Sequence, residues 1–351
     1  LDEIVDRYGE PVKPHLNWNK PIPWRKPTED QERALNSVYV THPIDGTRML
    51  DTKQLTYRYE IFDYEKAALR KYRLDPKERS LNTDHPVDPD EAVAMVRELM
   101  RLMLGFSPTD MVVKADYVPD SETVSLARRM VSRVCAGEPL QYVTGHAWFH
   151  GLDIHVTPDV LIPRPETSQL VDIIADAAAG ASDLRVLDIG TGRGCIAIAL
   201  ALTLPFSQVT GLDISRPALA VARDNAARLH ARVDFVEGDA LSLSDTDSDK
   251  YDIIVSNPPY VLDSERSAMD PRVSHEEPSS ALFVPDSDPL RFYKPIARYA
   301  AHALASGGRL YFEINPLCTN DIRTMLTDLG FADVDILRDY KGNYRFASCR
   351  R

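Results

Sequence analysis

The chain has 351 residues, 44% of them hydrophobic and 27% charged, a composition typical of a globular protein with one main domain and smaller attachments. Its formal net charge of −12 argues against stable binding of long nucleic acids, because phosphate binding depends on clustered lysines and arginines. The four cysteines are far apart and no apolar run could span a bilayer, so we expect reduced thiols, a cytoplasmic location and no membrane contact.

Residues 1–86 differ from the rest of the chain because prolines are frequent near their beginning, at positions 11, 14, 21, 23 and 27. Proline at this density interrupts both helices and sheet ladders. Further along, the residue pattern predicts a short strand over 56–62 and a helix over 64–74. The segment as a whole receives no assigned role.

Residues 87–140 are predicted to form a small helical domain. One helix begins at Pro89 and a second follows it before Gly137. Their apolar residues recur at helical spacing, as Val93, Val96, Met100, Met103 and Leu104 in the first helix and as Val124, Ala127, Val131 and Val134 in the second. Residues 141–164 are predicted to be a β-hairpin linker with strands at 141–144 and 153–156, because glycines and Pro158 interrupt short β-rich runs.

Residues 165–351 alternate predicted strands with predicted helices, a pattern typical of a doubly wound, Rossmann-like α/β fold with a largely parallel sheet. A helix follows Pro165. The seven strands are expected at 185–189, 208–213, 233–236, 252–255, 309–314, 334–337 and 344–349. Helices are expected between most of them, at 195–203, 217–229, 289–305 and 320–329.

A glycine-rich turn follows the first of these strands and predicts a cofactor site. It consists of Gly190, Thr191, Gly192, Arg193 and Gly194, and Asp188 precedes it by two residues. Glycine lets the backbone turn tightly and approach a ligand closely. The G-x-G-x-G spacing differs from the G-x-G-x-x-G of nicotinamide sites, and a carboxylate at Asp188 suits an ammonium group such as that of a methionine moiety.

Two further carboxylates follow the next two strands. Asp213 is expected to accept hydrogen bonds from two ribose hydroxyls, and Asp239, followed by Ala240, is expected beside an adenine. The set predicts S-adenosylmethionine as the cofactor, although each aspartate alone could equally be a helix cap or a turn residue.

The fourth strand runs directly into Asn257, Pro258, Pro259 and Tyr260. Residues that precede proline are held out of the helical region, so this turn is stiff. The Asn257 side-chain oxygen and the Pro258 carbonyl can each accept one hydrogen of a single NH₂ group, and Tyr260 offers a flat face for stacking. Asn257 would thus meet both cofactor and substrate. The turn predicts methyl transfer to a planar amino or amide nitrogen without a general base.

No metal site is predicted. His275, Glu276 and Glu277 lie together in the sequence, but a single histidine beside two acids lacks the spacing of metal ligands. A solvated loop is the simpler interpretation.

From about residue 90 to the C-terminus the chain resembles the HemK-type release-factor glutamine methyltransferases, which use the class I S-adenosylmethionine-dependent fold. The resemblance rests on the segments at 137–142, 162–167, 188–194 and 257–260, on Glu277-Pro278, and on the ending at 342–345. It implies methylation of the glutamine N5 atom in the Gly-Gly-Gln loop of peptide chain release factors. It also implies that the helical domain recognises the release factor.

The same resemblance implies that the turn after the hairpin lines the active site, through Arg164, Pro165, Glu166 and Thr167. The start of a helix is an alternative interpretation of that turn, and both can hold. Ala240 stands where some relatives have an aromatic residue, which leaves the adenine without an assigned stacking partner.

Two other functions are compatible with these patterns. Asn-Pro-Pro-Tyr also occurs in adenine-N6 methyltransferases of DNA or RNA, which would need a basic recognition face. A non-catalytic S-adenosylmethionine-binding module would be expected to carry a damaged loop or turn. Neither the loop nor the turn is damaged in this sequence.

Overall fold

The computed structural model describes residues 39–41, 48–50, 89–114, 117–243 and 250–351. The chain divides into two compact units, one of Leu1–Ala68 with Lys114–Pro119 and one of Leu69–Val113 with Asp120–Arg351. In the first unit, β1 (Tyr39–Thr41) pairs antiparallel with β2 (Arg48–Leu50). The strand and helix predicted at 56–62 and 64–74 lie outside the described residues. Within the described ranges no helix has the length and apolar character needed to cross a bilayer.

Among the described residues, three helices lie in the predicted helical region and a fourth begins at its last residue. They are α1 (Pro89–Leu104), α2 (Pro108–Val113), α3 (Ser121–Cys135) and α4 (Leu140–Thr144). The helices predicted from the spacing of apolar residues are α1 and α3, whereas α2 is too short to show a helical period. Helix α3 is capped by Asp120, whose carboxylate accepts a hydrogen bond from the Thr123 amide at 2.7 Å.

The strand predicted at 141–144 is wrong, because these residues belong to helix α4. The β-rich composition of the run is overridden by its flanks, since Pro139 provides an extended entry and Gly145 ends the helix at a left-handed φ of 75°. The hairpin itself is formed by β3 (His146–Phe149) and β4 (Leu152–His155). A β-hairpin therefore lies within the predicted range, with its first strand five residues later, and its role as a linker stays a prediction.

Seven of the described strands form one sheet in the order β12-β13-β11-β8-β5-β6-β7. Their bounds are Arg185–Ile189 for β5, Gln208–Asp213 for β6, Val233–Glu237 for β7, Tyr251–Ser256 for β8, Leu304–Glu313 for β11, Ala332–Arg338 for β12 and Tyr344–Arg350 for β13. The five strands from β11 to β7 are parallel, and β13 is antiparallel to both β11 and β12. The predicted α/β fold is confirmed.

The helices cover the two faces of the sheet and give it two cores. They are α5 (Pro165–Ala177), α6 (Cys195–Thr203), α7 (Arg216–Arg228), α8 (Pro271–Ser274), α9 (Tyr293–Ala303) and α10 (Thr319–Asp328). Buried residues of α5, α6 and α7 share one core with the hairpin. Those of α9 and α10 share the other. Short 3-10 turns at Asp263–Ala268, Ser279–Ala281 and Pro316–Cys318 and the parallel pair β9 (Val261–Leu262) and β10 (Phe283–Val284) complete the fold.

This arrangement places a topological switch point beside β5. The chain moves from β5 outward through β6 to β7, and then returns to β8 on the other side of β5. Ligands of open α/β sheets bind in the crevice outside the carboxyl ends of strands at such a point. A ligand-binding site is therefore expected at the loops after β5 and β8.

Asn225 attaches the hairpin to the sheet domain. Its side chain is completely buried, accepts a hydrogen bond from the His155 amide at 2.7 Å and donates to the His155 carbonyl at 3.0 Å. It also donates to the carbonyl of Arg193, at 3.2 Å, in the glycine-rich loop. One side chain on α7 thus connects the hairpin with the loop after β5.

Replacing Asn225 with alanine is expected to destabilise the protein by about 3 kcal/mol, because buried backbone groups of His155 and Arg193 lose their partners. Urea unfolding followed by circular dichroism measures the change. Arg216→Ala serves as the control on the same helix, because the Arg216 side chain is 81% exposed and its ion pair with Glu237 contributes little. Equal unfolding midpoints for the two variants would show that Asn225 does not attach the hairpin.

Candidate active site

The glycine-rich loop after β5 has the backbone conformation that its glycines suggest. Gly190, Gly192 and Gly194 have φ values of 74°, 56° and 85°, in the region that side chains with a Cβ rarely adopt. The Gly190 and Thr191 amides donate to the Leu212 carbonyl at 2.8 and 2.9 Å, which fixes the loop against the end of β6.

The three glycines differ in what surrounds them. A Cβ placed on Gly190 or Gly192 would meet no atom within 4 Å, whereas one on Gly194 would lie 3.0 Å from the Ile198 side chain and 3.1 Å from that of Phe235. Gly194 therefore permits the close packing of loop, helix and sheet. Gly190 and Gly192 leave the outer side of the loop free of side chains, as a cofactor cradle requires.

Asp188 lies beneath this loop and holds it from inside. Its Oδ2 atom accepts hydrogen bonds from the Thr191 hydroxyl at 2.7 Å and the Ala197 amide at 3.2 Å. Its Oδ1 atom is buried and has no hydrogen-bond partner among the described residues. Burial raises the pKa of Asp188 to about 7, and the bonds from Thr191 and Ala197 oppose that rise. A buried carboxylate oxygen that lacks a donor fits a cationic ligand, so the residues present fit an ammonium group.

The carboxylates after β6 and β7 lie on neighbouring loops. Asp213 accepts from the Gly192 amide and the Ser215 amide, both at 2.8 Å, so it connects the glycine-rich loop to the start of α7. Asp239 accepts from the Leu241 amide at 2.8 Å and forms a turn. Ala240 packs against the α9 core. These positions are compatible with ribose and adenine contacts, which remain predictions.

The Arg193 side chain does not face the outer side of the loop. It is 7% exposed, and its guanidinium donates to the Leu161 carbonyl and to the Cys195 sulfur. Arg193 therefore connects the glycine-rich loop with the segment that follows the hairpin. A cofactor contact by Arg193, which stays a prediction, would have to come from its backbone.

The Asn-Pro-Pro-Tyr turn leaves the end of β8 beside the glycine-rich loop. Ser256, the last residue of β8, donates its hydroxyl to the Ile189 carbonyl at 2.6 Å and so connects the ends of β8 and β5. On the other side of the turn, the Tyr260 carbonyl accepts a hydrogen bond from Asn315 at 3.0 Å and its amide donates to Leu282 at 3.2 Å. The turn is thus held at both ends, as its prolines suggest.

A hydrogen-bonded network lies behind the turn. The Asn257 Nδ2 atom is 3.2 Å from the Thr167 hydroxyl, and the Thr167 hydroxyl donates to Glu313 at 2.6 Å. The other oxygen of Glu313 accepts from the Tyr260 hydroxyl at 2.9 Å, and Arg345 donates to the same hydroxyl oxygen at 3.3 Å. Thr167 and Glu313 are 3% and 1% exposed, so this network is shielded from solvent.

Glu277 holds the segment after the hairpin. Its carboxylate is buried, accepts a hydrogen bond from the Ile162 amide at 2.9 Å and pairs with Arg164 at 2.6 Å. Of the four residues predicted in this turn, Arg164 lines the pocket and Thr167 contacts Asn257. Glu166 instead pairs with Lys341 at 2.6 Å, and Pro165 is exposed at the first position of α5.

A pocket opens beside the turn, and residues from the post-hairpin segment, the turn and β11 line it together. Asn257, Pro258 and Tyr260 belong to its wall, and Glu313 lies at its base. The remaining lining residues are Leu161, Arg164, Val261, Ala281 and Leu282. Pro259, the fourth residue of the turn, is partly exposed next to Pro258. In the described part of the chain, no three His, Cys, Asp or Glu side chains are grouped so that they could share a metal ion.

Sequence reasoning assigned no role to Glu313 or to Arg345. Glu313 is the last residue of β11. The sequence feature that could have indicated it is a single carboxylate at the end of an apolar run. Arg345 lies within the 342–345 segment that supported the family resemblance, and in the structure it reaches the Tyr260 hydroxyl.

The switch-point sheet, the glycine-rich loop and the Asn-Pro-Pro-Tyr turn define a class I S-adenosylmethionine-dependent methyltransferase. The models of the methyltransferase small domain and the PrmC N-terminal domain match residues 167–274 and 85–145. The release factor glutamine methyltransferase of Bacteroides thetaiotaomicron is 41% identical over 273 residues, covering 78% of this chain and 97% of the relative. That of Flavobacterium psychrophilum is 38% identical over 239 residues, covering 67% and 84%. The chain belongs to the release factor glutamine methyltransferase family.

Substituting Gly194 with alanine is expected to weaken S-adenosylmethionine binding at least about tenfold, which corresponds to ~1.4 kcal/mol. Residue 194 has a left-handed φ that alanine rarely adopts, and the new Cβ would lie near 3 Å from Ile198 and Phe235, so the loop must move. Titration calorimetry measures the affinity. Gly180→Ala is the matched control, because Gly180 has a similar φ of 84° with no atom within 4 Å of the added Cβ. Equal affinity in both variants would show that close packing at Gly194 is not required.

Cofactor affinity is expected to increase as the pH rises towards 7 and then to level off. A neighbouring ammonium group favours the charged form of Asp188, whose pKa is about 7 in the free protein, so binding below that pH must release a proton. Calorimetry between pH 5.5 and 7, in buffers of different ionisation enthalpy, measures both effects. Asp188→Asn should remove the slope, and a slope that persists in this variant would exclude Asp188 as its source.

Proposed function

We propose that the protein transfers a methyl group from S-adenosylmethionine to the side-chain amide nitrogen of the glutamine in the Gly-Gly-Gln loop of peptide chain release factors. The observation that carries the proposal is the Asn257–Thr167 contact of 3.2 Å, with the Asn257 NH₂ group towards Thr167 and its oxygen as the remaining acceptor. A second support is the name of the family members, which are release factor glutamine methyltransferases at 34–41% identity.

The chemistry that the chain must supply follows from the acceptor. An amide nitrogen is a poor nucleophile, because its lone pair is delocalised into the carbonyl. When bound, S-adenosylmethionine supplies an electrophilic methyl group on a sulfonium. Asn257 Oδ1 and the Pro258 carbonyl would each accept one hydrogen of the substrate NH₂, orient it and stabilise the positive charge that develops on nitrogen. One of those protons would then leave to solvent, and no general base is required.

The wall of the pocket suits a flat, uncharged group. Leu161, Val261 and Leu282 are apolar, and Tyr260 offers an aromatic face. The Arg164 guanidinium is paired with the buried Glu277 carboxylate, which offsets its charge and weakens its attraction for a phosphate. These features support a carboxamide side chain in preference to a nucleotide with its charged backbone. They count against the adenine-N6 alternative.

A non-catalytic binding module would not need the polar network behind the turn. Burying the Glu313 carboxylate is costly, and that cost is understandable where side chains must be held in one orientation. We also propose that the reaction takes place in the cytoplasm, where translation occurs. Three cysteine side chains are described by the structure, those of Cys195, Cys318 and Cys349, and each is buried and free of a disulfide, as is usual in a reducing compartment.

The substrate assignment can be tested with radiolabelled S-adenosylmethionine and three acceptors. These are a release factor, the same factor with its loop glutamine replaced, and adenine-containing DNA. We expect label on the unaltered release factor alone. Label on DNA alone would replace the proposal with the adenine-N6 alternative, and no transfer to any acceptor despite cofactor binding would favour the non-catalytic module.

Asn257→Ala is expected to lower the methylation rate of the release factor at least about a hundredfold, because one of the two acceptors for the substrate NH₂ is lost. Cofactor affinity should change little. Single-turnover assays and calorimetry measure the two quantities. Asn320→Ala, an exposed position on α10, is the control. Near-normal turnover of Asn257→Ala would exclude Asn257 as an acceptor of the substrate NH₂ group.

A further inference from the structure

In the network behind the turn, the chemistry of Glu313 decides which group donates and which accepts in each hydrogen bond. An ionised carboxylate accepts hydrogen bonds and donates none. The hydroxyl hydrogens of Thr167 and Tyr260 must therefore both point at Glu313, over distances of 2.6 and 2.9 Å. Each hydroxyl oxygen then has only lone pairs left for its second neighbour.

The second neighbours fit this pattern of donors and acceptors on both sides. Beside Tyr260 the neighbour is the Arg345 guanidinium at 3.3 Å, which can only donate. Beside Thr167 the neighbour is the Asn257 side-chain amide at 3.2 Å, which could present either its oxygen or its nitrogen. Because the Thr167 oxygen needs a donor, the NH₂ end of Asn257 must face it. The oxygen of Asn257 is left to face the substrate.

We propose that Glu313 is a positioning residue that selects the orientation of the Asn257 amide and so makes Asn257 an acceptor for the substrate NH₂ group. This inference rests on the proposed function and deepens it. The connection runs from β11 through Thr167 on α5 to the turn after β8, so the residues come from three separate elements.

An Asn257 amide turned the other way could not accept a hydrogen from the substrate NH₂ group. If Thr167 donated its hydrogen to Asn257, the Asn257 NH₂ group would face the NH₂ group of the substrate and two donors would meet. A neutral residue at position 313 permits that reversal. In the Glu313→Gln variant the introduced side-chain NH₂ group can donate to the Thr167 oxygen, which frees the hydroxyl hydrogen to turn towards Asn257.

Tyr260 is held by the same carboxylate. Burial and the adjoining Glu313 raise the pKa of Tyr260, so its phenol keeps the proton that it donates to Glu313. With its hydroxyl held between Glu313 and Arg345, the ring cannot rotate away from the pocket wall. Glu313 thus positions the two polar side chains of the turn that line the pocket, Asn257 and Tyr260.

The charge of Glu313 depends on its surroundings. Burial raises its pKa, the bonds from Thr167 and Tyr260 and the charge of Arg345 lower it, and Glu166 on α5 opposes ionisation. The Tyr293 hydroxyl on α9 donates to the Glu313 backbone carbonyl at 3.1 Å and stays neutral, because burial also raises its pKa. Protonation of Glu313 would create a donor towards Thr167 or Tyr260. Turnover should therefore fall as the pH falls through the pKa of Glu313.

The test is steady-state methylation of a release factor at saturating S-adenosylmethionine, with kcat and KM determined separately. Glu313→Gln and Thr167→Val should each lower kcat at least about tenfold while cofactor affinity stays unchanged. The double variant should be no slower than Glu313→Gln, because Thr167 only transmits the effect of Glu313 to Asn257. Thr167→Ser, which keeps the hydroxyl, should restore most of the turnover that Thr167→Val loses. Asp328→Asn removes an exposed carboxylate and is the control.

Three outcomes would overturn the proposal. One is a kcat for Glu313→Gln equal to that of the unaltered protein. Another is loss of turnover in Glu313→Gln but not in Thr167→Val, which would mean that Glu313 does not act through Thr167 and Asn257. The third is an acid limb of the kcat profile that persists in Glu313→Gln. If circular dichroism shows that Glu313→Gln does not fold, the comparison of Thr167→Val with Thr167→Ser tests the proposal by itself. Absence of transfer by the unaltered protein would instead overturn the proposed function.

Discussion

The parallel register at the end of β8 is the constraint on which the site depends. Ser256 pairs with Ile189 of β5 on one side and with Phe312 of β11 on the other. The next residue of each strand therefore lies at the same edge of the sheet, namely Gly190, Asn257 and Glu313. A register shift of one residue would turn every side chain to the opposite face of the sheet. The Ser256 hydroxyl reinforces the alignment through its 2.6 Å bond to the Ile189 carbonyl.

Buried carboxylates fix the loops and side chains of the site that lie beyond the ends of the strands. Asp188 holds the glycine-rich loop, Glu277 the segment after the hairpin, and Glu313 the side chains behind the turn. A buried carboxylate weakens the folded state unless each oxygen finds a donor, and five of these six oxygens have one. The exception, Oδ1 of Asp188, lies where a cationic ligand is expected. The stability lost at these positions is exchanged for loops that need little reorganisation when substrate binds.

The sequence predicts the sheet domain well because short segments rich in apolar residues alternate there with segments of helical pattern. Strands 185–189 and 208–213 agree with β5 and β6 at both ends. The strand predicted at 141–144 is wrong because this β-rich run lies between a proline and a glycine that together favour a helical turn. The position of the Arg193 side chain and the partners of Glu313 could not be predicted. They depend on contacts across 32 and 146 residues, which local pattern does not encode.

The two acceptors proposed for the substrate NH₂ group would explain how the enzyme separates glutamine from glutamate, which differ by one small group. The NH₂ of glutamine offers a hydrogen to each of two acceptors, whereas a glutamate carboxylate would bring lone pairs against Asn257 Oδ1 and the Pro258 carbonyl. Sites that bind a substrate through hydrogen bonds discriminate strongly, because the wrong group leaves buried polar atoms unpaired. That discrimination exists only while the Asn257 oxygen faces the pocket. An amide can present either end, so selectivity requires a fixed charge behind it, and the Glu313 carboxylate at the end of the Thr167 bond is placed to provide that charge.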